Sequence, residues 1–253
     1  MLLTFAMNHH PVKLNISISP KKVTQILLGI VLFFAIAGSL AEYFALKDFP
    51  FGSSKWFYDT FDLDGEFNPP ALYSGFSLLF CAGLLKIIAM VKKEQSDRFS
   101  ADWKILSYIF LYLSLDEILS LHELLIIPDL REFLNLPPIF HNTWVIPGII
   151  VVAFFVYKYL KFLKHLTEPT RQLFILSGFV YITGALGMEM MGGFADYFYN
   201  NTALPSIILV IEEILEMLGI VVFIYTLLSY LSKTAKTLDI AVNFKAIAQN
   251  KNK

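Results

Sequence analysis

Cysteine occurs once in the 253 residues, at Cys81. A lone thiol inside an apolar run excludes a disulfide framework and any zinc site built on cysteine pairs. Charge is scarce too: Asp, Glu, Lys and Arg make up 16% of the chain, against roughly 25% in an ordinary soluble domain. The two signs almost cancel, leaving a net charge of −1. Without a basic surface, no nucleic-acid partner is expected. The N-terminal stretch also lacks the basic, apolar and small-residue succession of a cleaved signal peptide, so the first apolar run is expected to be retained.

What the chain has in quantity is apolar surface: 56% hydrophobic residues and a mean hydropathy of +0.61. Runs of about 20 residues recur, enough for a helix rising ~1.5 Å per residue to cross ~30 Å of hydrocarbon. The chain therefore reads as all-α, an integral membrane bundle of six transmembrane helices. Their expected positions are Val23–Leu46, Ala71–Val91, Ile105–Ile127, Trp144–Phe162, Leu173–Gly193 and Pro205–Leu231. On this reading residues 1–22 are an N-terminal arm, 23–231 the membrane domain with an outer cap loop at 47–70, and 232–253 a tail.

Lys and Arg orient the bundle. Lys13, Lys21 and Lys22 precede the first span, and Lys92, Lys93, Arg98 and Lys104 join the second to the third. Lys158, Lys161, Lys164 and Arg171 join the fourth to the fifth, and Lys233, Lys236, Lys245, Lys251 and Lys253 follow the sixth. The other side has only Lys47, Lys55 and Arg131, while Lys86 falls within a span. Both termini are predicted to be cytoplasmic. The outer 47–70 connection, rich in aromatics and acids, suits a cap lying on the headgroups. Its DLDG sequence does not make a calcium loop, because the twelfth position counted from Thr60 is Ala71 where a bidentate Glu is needed. It reads as a polar turn.

Against this background "SLDEILSLHE" (Ser114–Glu123) is anomalous: three carboxylates and an imidazole inside an apolar run. Each acid near the bilayer centre costs roughly 2.5–3.5 kcal/mol on insertion scales, so partners are required. Depth counted along each span places Glu42, Asp116, Glu117, His122, Glu123, Glu189, Glu212, Glu213 and Glu216 in the outer half. On an unbroken helix Asp116, Ser120 and Glu123 share one stripe, with Glu117 and His122 facing elsewhere. Glu212, Glu213 and Glu216 share a face of the sixth span, which becomes the expected opposing wall. Crowded carboxylates in a low dielectric cannot all be ionised alone, so protons or metal ions must supply the balance. The similar strings DEIL (116–119) and EEIL (212–215) also raise an inverted-repeat arrangement, as in transporters.

The motifs "FDLDGEFNPPALYS", "LSLDEILSLHE", "HNTWVIPG", "GALGMEMMGG" and "IEEILEMLG" together resemble a widespread group of uncharacterised bacterial multi-pass membrane proteins. The likeness spans roughly Phe61 to Leu231 and implies no particular activity. It implies a bacterial plasma membrane location, and it groups Glu66 and Asn68, just above the second span, with the intramembrane acids.

Two functions follow as expectations. The first is a metal-dependent membrane enzyme acting on a lipid or periplasmic small-molecule substrate. Asp116, His122, Glu123, Glu212, Glu213 and Glu216 would ligate a divalent ion (zinc, iron or manganese), Glu189 and Glu117 would act catalytically, and Glu66, Asn68 and His141 would support the site from the outer surface. The second is a proton- or cation-coupled transporter using the same carboxylates. No Glu-x-x-His pair of the di-iron bundle type occurs.

Overall fold

Proline and capping signals start the helices where the sequence places them. A computed structural model of the protein describes residues 18–47 and 52–234. Most of the expected N-terminal arm, part of the cap loop and nearly all of the tail lie outside the described residues. Ser19 caps α1 (Pro20–Leu46) by accepting from the Lys22 N–H, and Pro20 takes the first helical position, where no donor is needed. A short helix α2 (Gly52–Phe61) follows. Asn68 caps α3 (Pro69–Glu94), again with proline behind it. Next come α4 (Ser100–Leu119), a 3-10 turn at Leu121–Leu125, α5 (Pro128–Phe133) and a second 3-10 turn at Pro138–Phe140. Then α6 (Val145–His165) precedes α7 (Glu168–Ile182), which runs through a π turn at Thr183–Met188 into α8 (Glu189–Tyr199). Last is α9 (Leu204–Thr234).

Helices occupy all six intervals expected from the apolar runs. Four of them, α1, α3, α6 and the rod Glu168–Tyr199, are long and apolar enough to cross a membrane. Their outward faces carry large apolar side chains such as Leu32, Phe33, Ile150, Phe154 and Tyr157, which hydrocarbon accommodates and water does not. One interval differs from its expected form. The third helix ends at Leu119 rather than continuing to Ile127, because Ser120 is left-handed (φ 42°, ψ 47°) and breaks the i→i−4 ladder.

α9 is the axis of the bundle, packed against α1, α3, α7, the π turn and α8, while α4 pairs along its length with α3. Serines fasten that hairpin: Ser107 Oγ donates to the Ala82 carbonyl at 3.0 Å and Ser114 Oγ to the Gly75 carbonyl at 2.7 Å. At the basic end of the bundle the core is apolar and aromatic. Trp103, Phe162, Phe174 and Phe223 meet edge to face around Leu85, Ile224 and Leu227. Phe110 stacks on Phe223 at 4.6 Å and holds α4 to α9. The opposite end contains the acids that line a cavity.

Candidate functional site

The αL joint at Ser120 is the local event that builds the site. An intact helix would carry His122 away from Asp116; the joint and the 3-10 turn after it bring His122 back over Asp116. The His122 N–H donates to Asp116 Oδ1 at 2.8 Å, and ring Nδ1 lies 3.1 Å from Asp116 Oδ2. The ring also packs against Trp144, with centroids 4.7 Å apart. This corrects the stripe expected from unbroken helix geometry. His122 does not face elsewhere but is the partner of Asp116, and Glu123 is displaced from the Asp116 face.

Glu189 opens α8 directly after the π turn. It accepts hydrogen bonds from the Asn142 side-chain amide and from Trp144 Nε1, the latter at 3.2 Å. The "HNTWVIPG" segment is thus the clamp on Glu189. Thr143 pins the same segment, donating to the Leu125 carbonyl and accepting from the Ile127 N–H at 2.8 Å.

A turn above α3 supplies acids that the sequence reading passed over. The Asp64 N–H donates to Asp62 Oδ1 at 3.2 Å, and Asn68 Nδ2 donates to the Asp62 carbonyl at 2.5 Å while Asn68 Oδ1 caps Ala71. A Cβ at Gly65 would stand 2.6 Å from Asn68 Nδ2, so a larger residue here would displace the Asn68 amide from the Asp62 carbonyl.

These elements enclose a cavity of about 440 Å³. Seven carboxylates line it: Glu42 from α1, Asp62 and Asp64 from the turn, Glu123, Glu189, Asp196 and Glu212. Tyr58, His122, Asn142 and Ser206 complete its polar wall, and no lysine or arginine is among the lining residues. The electrostatic consequence is visible at the turn. Asp64 reaches solvent through the cavity yet has protein around it. Burial, then the charges of Asp62, Glu189 and Glu123, push its pKa up to about 6, against some help from His122. Asp62 is likewise raised by burial, although the Asp64 N–H opposes this.

The remaining expected residues divide. Glu117, Glu213 and Glu216 do not line this cavity; they lie deeper, where Tyr181 is within electrostatic reach of Glu216, Glu117, Asp116 and Glu213. Close approach of α7 and α9 makes this possible. A Cβ at Gly184 would stand 2.8 Å from Glu216 Cγ and 2.9 Å from the Glu212 carbonyl. Asn68 is a helix cap and a strut for the Asp62 turn. Glu66 is exposed and lies outside the cavity wall. His141 is also outside it: Arg131 donates to its ring, with Nδ1 at 2.6 Å, and burial together with that cation holds its pKa below the usual imidazole range. An imidazole that accepts from arginine is neutral, and its Cβ packs against Gly193.

Asp62, Asp64, Tyr58, Asn142, Asp196 and Ser206 are the polar lining residues absent from the expected site, whereas Glu42 was expected in the acid layer without a role of its own. DLDG and "HNTWVIPG" were the available signals for three of them, Asp62, Asp64 and Asn142. Among the described residues, no group of three or more His, Cys, Asp or Glu side chains is placed to hold a metal ion. The acids surround a chamber instead of converging on a point.

No curated protein and no solved structure matches the chain. The family described as Domain of unknown function (DUF8692) matches residues 25–231, and the chain belongs to it.

Proposed function

We propose that this is a multi-pass protein with six membrane crossings and both termini on the Lys/Arg-rich side, whose acidic cavity binds a divalent metal ion arriving from the outer side. The cavity wall carries the reading: seven carboxylates around about 440 Å³, without a lysine or arginine among them. Repulsion in such a chamber is relieved by protons or by a cation, and a doubly charged ion relieves more of it per particle. Carboxylates with one imidazole suit zinc, iron or manganese. The volume leaves room for a small molecule beside the ion. In an enzyme of this kind Glu189, clamped by Asn142 and Trp144, is the base, and the substrate is a lipid headgroup or a small periplasmic molecule.

Elemental analysis of protein purified without chelator tests this, followed by titration of stripped protein with Zn²⁺, Fe²⁺ and Mn²⁺. The expected result is stoichiometric uptake that a Glu189→Gln, Glu123→Gln double variant weakens by at least about tenfold. Folded protein that takes up none of the three ions would overturn it.

A second reading, a proton- or cation-coupled carrier, is favoured by one observation. Glu213, Glu216 and Glu117 continue the acids beyond the cavity wall, and the charges of Asp64 and Glu189 are felt at Glu213. Uptake into liposomes that Glu216→Gln abolishes, with cavity binding intact, would select the carrier.

A further inference from the structure

A lysine facing lipid is costly unless something answers its charge, and the α3–α4 hairpin carries two that no carboxylate answers. Lys86 lies well before the end of α3 at Glu94. That 26-residue helix is ~39 Å long against ~30 Å of hydrocarbon, so the Lys86 backbone falls inside the apolar layer, within reach of its edge for a long side chain. Lys104, near the start of α4, stands at the same level, because Ser107 bonds Ala82 and Ser114 bonds Gly75 in this antiparallel pair. Both ammonium groups converge on one ring. Lys86 Nζ is 5.3 Å and Lys104 Nζ 5.8 Å from the centroid of Tyr108.

The surroundings supply no counter-charge. Ion pairs among the described residues join Lys92 and His165 to Asp97 and His122 to Asp116, and none reaches Lys86 or Lys104. The ring attracts each cation through its quadrupole but carries no net charge, so the two ammonium groups still repel. Tyr108 is 53% exposed, and its hydroxyl has no hydrogen-bond partner among the described residues. A Cβ at Gly83, one turn from Lys86, would meet no neighbour, and exposed Phe76, Leu79 and Phe80 continue that face away from the basic end. The result is a lipid-facing notch with a cationic rim and an apolar track leading into the bilayer. We propose that this notch binds an anionic phospholipid, its phosphate between Lys86 and Lys104 and accepting from the Tyr108 hydroxyl, its acyl chain along Gly83 and Phe80. Such an occupant joins negative charge to a long apolar chain, and basic pockets between membrane helices hold anionic headgroups in this way. The site depends on α3 crossing the bilayer and not on what fills the acidic cavity at the other end.

Native mass spectrometry of the full chain, delipidated in detergent, tests the site. The probes are dioleoylphosphatidylglycerol and dioleoylphosphatidylcholine, which share their chains and differ in net charge. The expected result is a preference of at least about tenfold for phosphatidylglycerol, the combined effect of two lysines. A Lys86→Gln, Lys104→Gln double variant loses it. A Lys161→Gln, Lys164→Gln variant, which removes two exposed lysines of α6 at the same end, keeps it. Tyr108→Leu weakens it, and excess inorganic phosphate does not displace the lipid. Circular dichroism and gel filtration confirm that each variant is folded. Equal binding of the two lipids, a preference that survives Lys86→Gln, Lys104→Gln, or one that the α6 variant abolishes equally overturns the site. Displacement by inorganic phosphate overturns its assignment to a lipid. None of these outcomes bears on cation uptake by the cavity, which fails or stands by its own titration.

Discussion

Among single residues, two aspartates at opposite ends of the bundle respond to pH in opposite directions. Asp64 has a native pKa of about 6, above the ~3.9 of an unfolded chain. The native state then binds the extra proton, so ionised Asp64 costs stability as pH rises through that interval. Asp64→Asn is expected to raise the thermal midpoint at pH 8 and to leave it unchanged near pH 4, by a thermal-shift assay in detergent. Asp97 behaves in reverse. Burial opposes its charge, but the Phe99 N–H, His165 and Lys92 outweigh burial and hold its pKa below the usual carboxylate value. Its contribution is present in full above ~3.9 and disappears as pH falls through the lower native value. Asp97→Asn is therefore expected to lower the midpoint at pH 7, with the gap to wild type closing on acidification. Sequence alone named most of the acids that lie in apolar runs, because an acid there is conspicuous. It passed over Asp62 and Asp64, which sit in a polar turn where acids are ordinary, and over Asn142, whose role depends on Glu189 from a distant helix. Asn68, grouped with the acids from the sequence, is an N-cap before two prolines that also donates to the Asp62 carbonyl in the cavity turn.

At the scale of elements, the break after α4 and the π turn before α8 decide where the acids point. Neither was legible. The apolar pattern continues through Ser120 without a glycine or proline to mark a stop, and the glycines around Glu189 signal close packing without revealing a π turn. A π turn holds one residue more than the equivalent stretch of α-helix. Deleting Ala185 from Thr183–Met188 is expected to restore α geometry and rotate the residues on one side of the turn by about 100° relative to the other. Glu189 then loses its place opposite Asn142 and Trp144. Such a variant should fold yet bind the probe cation no better than Glu189→Gln, a comparison that titration makes directly. A larger effect on folding belongs to Gly184→Ala. The added Cβ meets the Glu212 carbonyl and the Glu216 N–H of the neighbouring helix, and backbone cannot swing aside. The expected loss is about 1–3 kcal/mol, read from denaturation in detergent.

For the molecule as a whole, helix positions were legible because run length against bilayer thickness is a strong constraint, whereas helix neighbours were not. That α9 would be the central helix, and α6 a flank leaning mainly on α7 and the π turn, depends on side-chain fit that periodicity does not encode. Sidedness is open to a direct measurement. Cys81 is buried, so Cys81→Ala gives a background without reactive thiol. On that background Thr202→Cys is expected to react with an impermeant maleimide on intact cells, and Gln95→Cys only after permeabilisation. Reaction of both from the same side would reject the proposed orientation. The central place of α9 also bears on how the protein is made. Each of its glutamates costs roughly 2.5–3.5 kcal/mol to leave in lipid, so α9 is a poor candidate for insertion by itself. Yet α1, α3, α7 and α8, the helices that surround it, all precede it in the chain. On the proposed six-crossing topology, biosynthetic order thus prepares a receptor for this glutamate-bearing helix before it emerges, and entry into the bilayer and docking become one event.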